Sequence, residues 1–196
     1  PDTHSGTMNS LNIENCNLSG VLDLSMLTTW GSNSSISLGD NANLKNVNFA
    51  SSISGTFRSI SIDSCDITGI LDLSMFTSFS SSAQIILDHN SNLTGVTFAS
   101  SISGTIYRIY MNWCNITGTP DLSMFTNFAN NAGIRLERNS NLTGVTFASS
   151  ISGNFYELNL GRCNITGTLD LSKFQSVSYI YLEYNSNMTG VSFHPS

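Results

Sequence analysis

The sequence predicts a mostly-β solenoid of eight stacked coils, and three observations predict it. The four cysteines, Cys16, Cys65, Cys114 and Cys163, fall 49 residues apart. Aligned on them, the 196 residues become four copies of one unit, the last shortened by three. Each unit holds two related halves whose apolar residues alternate at the period of two that a strand requires. Self-similarity of this kind marks a repeat architecture, in which one coil buries its apolar face only against its neighbours.

The first half of a unit reads Ile60-x-Ile62-x-x-Cys65-x-Ile67-Thr68-Gly69-x-Leu71-Asp72-Leu73-Ser74. The second reads Ile85-x-Leu87-x-x-Asn90-Ser91-Asn92-Leu93-Thr94-Gly95-Val96-Thr97-Phe98. Eight coils of 24 or 25 residues result, apart from one of 22. Their inward pairs are Leu11/Ile13, Ile36/Leu38, Ile60/Ile62, Ile85/Leu87, Ile109/Met111, Ile134/Leu136, Leu158/Leu160 and Ile180/Leu182. The spacing predicts parallel strands over 11–15, 36–40, 60–64, 85–89, 109–113, 134–138, 158–162 and 180–184. Leu18, Leu44, Ile67, Leu93, Ile116, Leu142, Ile165 and Met188 form a second apolar ladder, and Phe49, Phe98, Phe147 and Phe193 a third on alternate coils. Gly20, Gly69, Gly95, Gly118, Gly144, Gly167 and Gly190 are expected in tight turns after the strands. Strong helix formers are scarce between strands, so short strands and 3₁₀ turns are expected on the return path.

These halves resemble the leucine-rich repeat, whose core is L-x-x-L-x-L-x-x-(N/C)-x-(x)-L, and the resemblance covers the whole chain. The Thr-Gly after the last apolar position is most similar to plant-type and related bacterial variants. The resemblance implies a right-handed leucine-rich-repeat solenoid, with the parallel sheet on its concave face and short β or 3₁₀ segments on its convex side. Residues 1–196 are then one solenoid domain of four double repeats. Thr3-His4-Ser5-Gly6-Thr7 aligns with Ser52-Ile53-Ser54-Gly55-Thr56, so a fragment of a longer array is expected.

Several ladders invite a chemical reading that spacing weakens. Residues two coils apart stand roughly 10 Å apart, beyond the reach of a disulfide, so the cysteines are expected as four buried free thiols. They replace Asn41, Asn90, Asn139 and Asn185, which are expected to bond the turn backbone of a neighbouring coil, as in the family's asparagine ladder. Asp23, Asp72, Asp121 and Asp170 supply one carboxylate per unit, too few for calcium, and are expected to bond locally in turns. Seven N-x-S/T sequons begin at Asn17, Asn33, Asn92, Asn115, Asn141, Asn164 and Asn187, and turn chemistry is the preferred reading for them. His4, His89 and His194 are isolated, and no nucleophile–base or paired-carboxylate set recurs, so neither an enzyme nor a cofactor is expected.

The copies differ from one another in a patterned way. From Asn90 to Thr105 and from Asn139 to Asn154, fifteen of sixteen residues are identical. Differences gather instead at outward strand positions, and coils five to eight carry nearly all the aromatic residues and arginines. The candidate ligand-binding residues are Arg108, Tyr110, Asn112, Trp113, Arg135, Glu137, Arg138, Arg162, Tyr181 and Tyr184. Trp, Tyr and Arg are enriched at binding hot spots, and their guanidinium forks suit carboxylate or sulfate groups. The expected function is recognition or adhesion toward a protein or glycan; the alternative is a structural segment of a surface fibre or adhesin stalk. The net charge of −6 offers no basic footprint for nucleic acid, and no apolar run approaches the roughly 20 residues of a membrane span. A polar, lysine-poor surface suggests an extracellular or cell-surface protein, and the apolar end coils suggest end-to-end self-association or flanking repeats.

Overall fold

The structure, a computed structural model, describes residues 6–195 and is a parallel β-solenoid of eight coils. Thr3, His4 and Ser5 of the mid-repeat start lie outside the described residues. Each coil gives one strand to an eight-stranded front sheet, in the order Met8–Asn12, Trp30–Ser37, Phe57–Ser61, Phe79–Ile86, Ile106–Tyr110, Phe128–Arg135, Phe155–Asn159 and Val177–Tyr181. Every strand pairs in parallel with the next, and Leu11, Ile36, Ile60, Ile85, Ile109, Ile134, Leu158 and Ile180 stand in one register column.

The front strands end three residues earlier than the apolar pairs predict and begin three residues earlier, or six in coils two, four and six. Each gains a further inward residue at its start, such as Phe57, Ile106 or Phe155. Each stops short because Asn15, Asp40, Ser64, His89, Trp113, Arg138, Arg162 and Tyr184 take left-handed φ between 51° and 61°. That conformation turns the chain out of the extended path. The ladder of hydrogen bonds nevertheless continues across it, with Trp113 N donating to Glu137 O at 2.9 Å and Arg138 N to Gly161 O at 3.0 Å.

On the return path, short strands pair only within a unit: Ser19–Leu24 with Asn43–Phe49, Gly69–Leu73 with Leu93–Phe98, Asp121–Leu122 with Thr146–Phe147, and Gly167–Leu171 with Met188–Phe193. Between units the back is joined by two backbone bonds, such as Asp66 N to Leu44 O at 3.1 Å and Thr68 N to Lys45 O at 2.9 Å, and by aromatic packing. Phe49 meets Phe76, Phe98 meets Phe125 and Phe147 meets Phe174, all nearly perpendicular at 4.9–5.0 Å. The expected 3₁₀ turns do not occur among the described residues, and no helix does either. Local bonding explains this: Asp72 Oδ1 accepts Ser74 N at 2.9 Å and Phe76 N reaches Leu73 O at 3.1 Å, closing a tight turn. Asp23, Asp121 and Asp170 accept the N–H two residues on in the same way.

The glycine expectation holds in part. Gly20, Gly69, Gly118 and Gly167 have left-handed φ in open space, whereas Gly95, Gly144 and Gly190 do not adopt it. The glycines that the fold requires most strictly are Gly55, Gly104 and Gly153, where a Cβ would stand 2.4, 1.8 and 2.3 Å from the carbonyl oxygens of Trp30, Phe79 and Phe128. The three-residue deletion in the last unit also has a structural site. Front strands of coils two, four and six run eight residues through left-handed Asn33, Ser82 and Asn131, and the five-residue strand Val177–Tyr181 lacks that kink.

One apolar core runs the length of the stack, from Leu24 to Phe174. The inward pairs of coils two to seven are buried, while Leu11, Ile13, Ile180 and Leu182 at the ends are only half-buried. The asparagine ladder forms as expected. Buried Asn90 donates to Ile62 O at 2.7 Å and Leu87 O at 2.9 Å and accepts Ile67 N at 3.1 Å; Asn41, Asn139 and Asn185 repeat the pattern. All four cysteines are free. Cys65, Cys114 and Cys163 are buried and donate to Leu38, Leu87 and Leu136 O of the preceding coil. Cys16 corrects the expectation of four buried thiols: on the first described coil it is exposed, and its thiol donates to Glu14 O of its own coil at 3.2 Å.

Candidate functional site

Register arranges the outward side chains of the front sheet in columns. One runs Asn12, Ser37, Ser61 through coils one to three, then Ile86, Tyr110, Arg135, Asn159 and Tyr181. Beside it, toward the strand starts, Arg108, Gly133, Glu157 and Tyr179 form another. The left-handed residues make a column of their own, on the turn that leaves the sheet. The sequence had placed Trp113, Arg138, Arg162 and Tyr184 on the strands; the structure puts all four on this turn, since their φ ends the strand.

The occupants of that turn are unusual for its conformation. Left-handed φ brings Cβ close to the following carbonyl and costs roughly 1 kcal/mol or more for an L-residue, least for Asn and Asp. Coils one to three carry Asn15, Asp40 and Ser64, small polar residues that suit it. Coils four to eight carry His89, Trp113, Arg138, Arg162 and Tyr184, four of them bulky residues that do not.

These side chains stack along the solenoid. His89 lies against Trp113 with ring centroids 5.7 Å apart, and Arg138 covers the other part of Trp113 at 3.9 Å from its centroid. Arg162 covers Tyr184 at 4.2 Å. Glu137 stands between the two arginines, 3.3 Å from Arg138 and 3.8 Å from Arg162. Asn112 holds Glu137 in place, accepting its backbone N–H at 2.9 Å. In the neighbouring columns, Arg135 lies over Tyr110 at 4.5 Å and Arg108 over Tyr107 at 4.6 Å. Tyr179 stacks on Tyr181 at 6.5 Å and meets Tyr156 edge-on at 5.0 Å. All ten candidate residues therefore sit on one surface, in contact with others of the set or their immediate neighbours.

Its charge is largely settled internally. Nε of Arg135 donates to Oε2 of buried Glu157 at 2.9 Å, and Nη2 reaches the same oxygen. Burial works against the charge of Arg135, but the Glu157 bond, together with the charges of Tyr110, Glu157 and Asp88, outweighs it and holds the guanidinium above its usual value. The expectation of an open fork at Arg135 accordingly does not hold. Arg108 bonds the Gln84 amide at 3.0 Å and, among the described residues, forms no ion pair. Burial pushes the Tyr110 phenol up, and it pushes the Asp88 carboxyl up as well, although Asn112 N donates to Asp88 at 2.6 Å. Much of what remains presented to solvent is aromatic: Trp113 is 46% exposed and Tyr184 69%, with Tyr156, Tyr179 and Tyr181 exposed beside Arg162.

Tyr107, Tyr156, Glu157 and Tyr179 belong to this surface and were missed by sequence reasoning, because the strands were started at the first isoleucine or leucine of each pair. The signal was present: Met8, Phe57, Ile106 and Phe155 recur three residues earlier, as an extra inward position would. Comparison with known protein families, curated proteins and solved structures found no match.

Proposed function

We propose that this chain is a recognition module that holds a protein or glycan partner on the outward face of coils four to eight, without catalysis. The observation that carries this reading is the left-handed column. His89 and the bulky Trp113, Arg138, Arg162 and Tyr184 occupy a turn whose backbone favours Asn, Asp or Gly, in the same part of the stack where Tyr110, Arg135 and Tyr181 stand in the neighbouring column. Departures from local preference of this sort concentrate where function selects the residue. With three of its four arginines within 4 Å of a carboxylate, the face offers stacking area and hydrogen bonds rather than a strong field. In this reading the chain is a leucine-rich-repeat variant with strands on its return path, acting outside the cell or at its surface. The Cys/Asn position closing each front strand and the lysine-poor surface support that placement. The near-identity of residues 90–104 and 139–153 favours a second reading, a stalk whose repeats supply length.

The test compares Trp113→Ala, Tyr181→Ala and Tyr184→Ala with Thr97→Ala and Thr146→Ala on the back strands. Arg135 is left intact because its removal would leave the buried Glu157 carboxylate without its ion-pair partner. Each protein is applied to a printed array of neutral and sulfated glycans and to intact cell surfaces. The face variants are expected to lose about 2 kcal/mol of binding each, roughly thirtyfold in affinity, with thermal midpoints unchanged. Loss of binding in the back variants with retention in the face variants would sink the reading in favour of the stalk.

A further inference from the structure

We infer that a groove across coils two to four is a binding site for one neutral sugar ring of a glycan, which stacks on the free face of His89 beside Ser64. Such a groove presupposes that the chain is a recognition module, and it narrows the partner from protein or glycan to glycan. The groove follows from the alternation of coil lengths. In the first coil of a unit Ile67 follows Cys65 by two positions, whereas in the second Leu93 follows Asn90 by three. Leu93 N closes the longer turn on Asn90 O at 2.9 Å, and Leu44 N does the same on Asn41 O at 2.9 Å. Coil three is therefore recessed between the longer turns of coils two and four: Ala42 and Ser91 on those turns are exposed, and Cys65 between them is buried. The result is an open groove of about 660 Å³, lined by Ala42 of coil two, by Ser64, Cys65 and Asp66 of coil three, and by His89, Ser91 and Asn92 of coil four.

The following units show what this place accommodates. Ser64 and His89 hold the left-handed positions that carry Trp113 and Arg138 in the third unit and Arg162 and Tyr184 in the fourth. Both of those pairs are in cation–π contact, at 3.9 and 4.2 Å. The backbone is the same in each case, with Ser64 at φ 52° and Trp113 at φ 54°. Ser64 has no ring to offer, so His89 stacks only against Trp113, at 5.7 Å and 21°. Because Trp113 lies in coil five, the other face of the imidazole turns toward coil three and the groove. A ligand ring on that face takes the place that Trp113 holds against Arg138.

The groups around that face suit a polyol. Ser64 and Ser91 supply hydroxyls, Asn92 an amide, and Asp66 a carboxylate whose charge is met by Lys45. Asn92 Nδ2 donates to Asp66 Oδ1 at 2.6 Å, which fixes both side chains. Asp66 stands where the other units have Asn17, Asn115 and Asn164, and Lys45 where they have Thr94, Thr143 and Thr189, so the ion pair belongs to this groove alone. Sugar hydroxyls can donate to the carboxylate and accept from the amide while the C–H face of the ring packs on the imidazole. An aromatic side chain of a protein partner would strip water from Asp66, Ser91 and Asn92 without replacing those bonds. An anionic ring is disfavoured as well. Burial pushes the Cys65 thiol up and the carboxylates of Asp63 and Asp40 add to it, which places their negative charge beside the groove.

The test titrates the 196-residue chain with the methyl glycosides of glucose, galactose, mannose and N-acetylglucosamine, following backbone amides by proton–nitrogen correlation NMR. At least one glycoside is expected to bind with roughly millimolar affinity, giving saturable shifts at Ser64, Asp66, His89 and Asn92. Sorbitol, a polyol without a ring, is expected to give none. His89→Phe keeps a stacking face and stays within about threefold of the parent, whereas His89→Ala weakens binding about tenfold or more. Ser64→Trp copies the third unit, fills the groove and abolishes the shifts, while Thr97→Ala on the back leaves them unchanged. Should Ser64→Trp fail to fold, the contrast between His89→Phe and His89→Ala carries the test. No saturable shift with any glycoside overturns the inference, as do shifts that Ser64→Trp leaves in place. Saturable binding of N-acetyltyrosinamide in the groove without any sugar binding also overturns it and assigns the place to a protein side chain. The recognition face is judged separately: loss of cell-surface binding in Trp113→Ala upholds it when no glycoside binds, and retention of that binding defeats it whatever the sugars do.

Discussion

Replacing Asn139 by Ala probes how the stack is held together at its middle. The side chain is fully buried, and Nδ2 donates to Met111 O and Leu136 O at 2.8 Å each while Oδ1 accepts Ile116 N at 2.9 Å. Alanine leaves Met111 O and Ile116 N with no partner, while Leu136 O keeps the Cys163 thiol at 3.2 Å. Two orphaned buried backbone groups at about 1–3 kcal/mol each give a loss of roughly 4 kcal/mol. That is a large part of the 5–15 kcal/mol typical of a whole domain. Asn185 makes the same bonds in the last coil, where water can reach the groups left behind, so Asn185→Ala is expected to cost about half as much. Urea unfolding followed by circular dichroism measures both, and hydrogen exchange shows whether coils five to seven open first, as nearest-neighbour stacking implies. A loss under about 1 kcal/mol for Asn139→Ala, or a larger loss for Asn185→Ala, would refute the reasoning.

Gly104→Ala forces a Cβ to within 1.8 Å of Phe79 O at φ +101° and is expected to cost about 3 kcal/mol or more, whereas Gly69→Ala, in open space at φ +73°, costs only about 1 kcal/mol; thermal midpoints of the two variants check the contrast. Acid stability follows from carboxylates held below their usual range: Asp23 by Ser25, Asp66 by Lys45 and then Asn92, and Asp170 by Ser172. A depressed folded value means stability that is present above the ordinary carboxylate value of 3.8 and is lost below it, as pH falls through the lowered folded value. Asp88, whose carboxyl burial raises, acts in the opposite sense. The thermal midpoint should therefore drop between roughly pH 5 and pH 2, and less steeply in Asp66→Asn; an unchanged slope in that variant contradicts the assignment. Burial pushes the Cys114 thiol up to about 12 and Cys163 up to about 11, so native protein should label quickly at Cys16 alone, with a second fast-labelling cysteine as the contrary result.

Much of this architecture was legible because periodic burial writes itself into sequence. Ile60 and Ile62 recur as an apolar pair in every coil, and Cys65 and Asn90 mark the turn that follows each front strand, so coil number, register and the asparagine ladder could be read directly. The strand limits could not. Alternation is a property of side chains, while the end of the strand is set by the left-handed backbone of residues such as Trp113, which no local preference announces. The requirement for Gly104 was hidden for a related reason: it comes from the Phe79 carbonyl on the preceding strand, not from its own Ser-Ile-Ser-Gly context. At the candidate face, Trp113 and Tyr181 stood out by comparing copies. The pairing of Arg135 with Glu157 did not, since their proximity depends on a one-coil offset that only exact register supplies.

Trp113 offers the most direct test of the recognition face. Trp30, the other tryptophan, is 4% exposed in the core, at a position where Phe79 and Phe128 stand in the following units. Trp30→Phe therefore gives a folded protein in which all tryptophan fluorescence comes from Trp113. Acrylamide quenching of that protein is measured alone and with saturating amounts of the array glycan or cell-surface protein that it binds best. Bound partner is predicted to shift the emission to the blue and to cut the quenching constant several-fold, because the 46% exposed indole becomes covered. Unchanged quenching at saturation, with binding verified by calorimetry, would place the partner elsewhere and contradict the account.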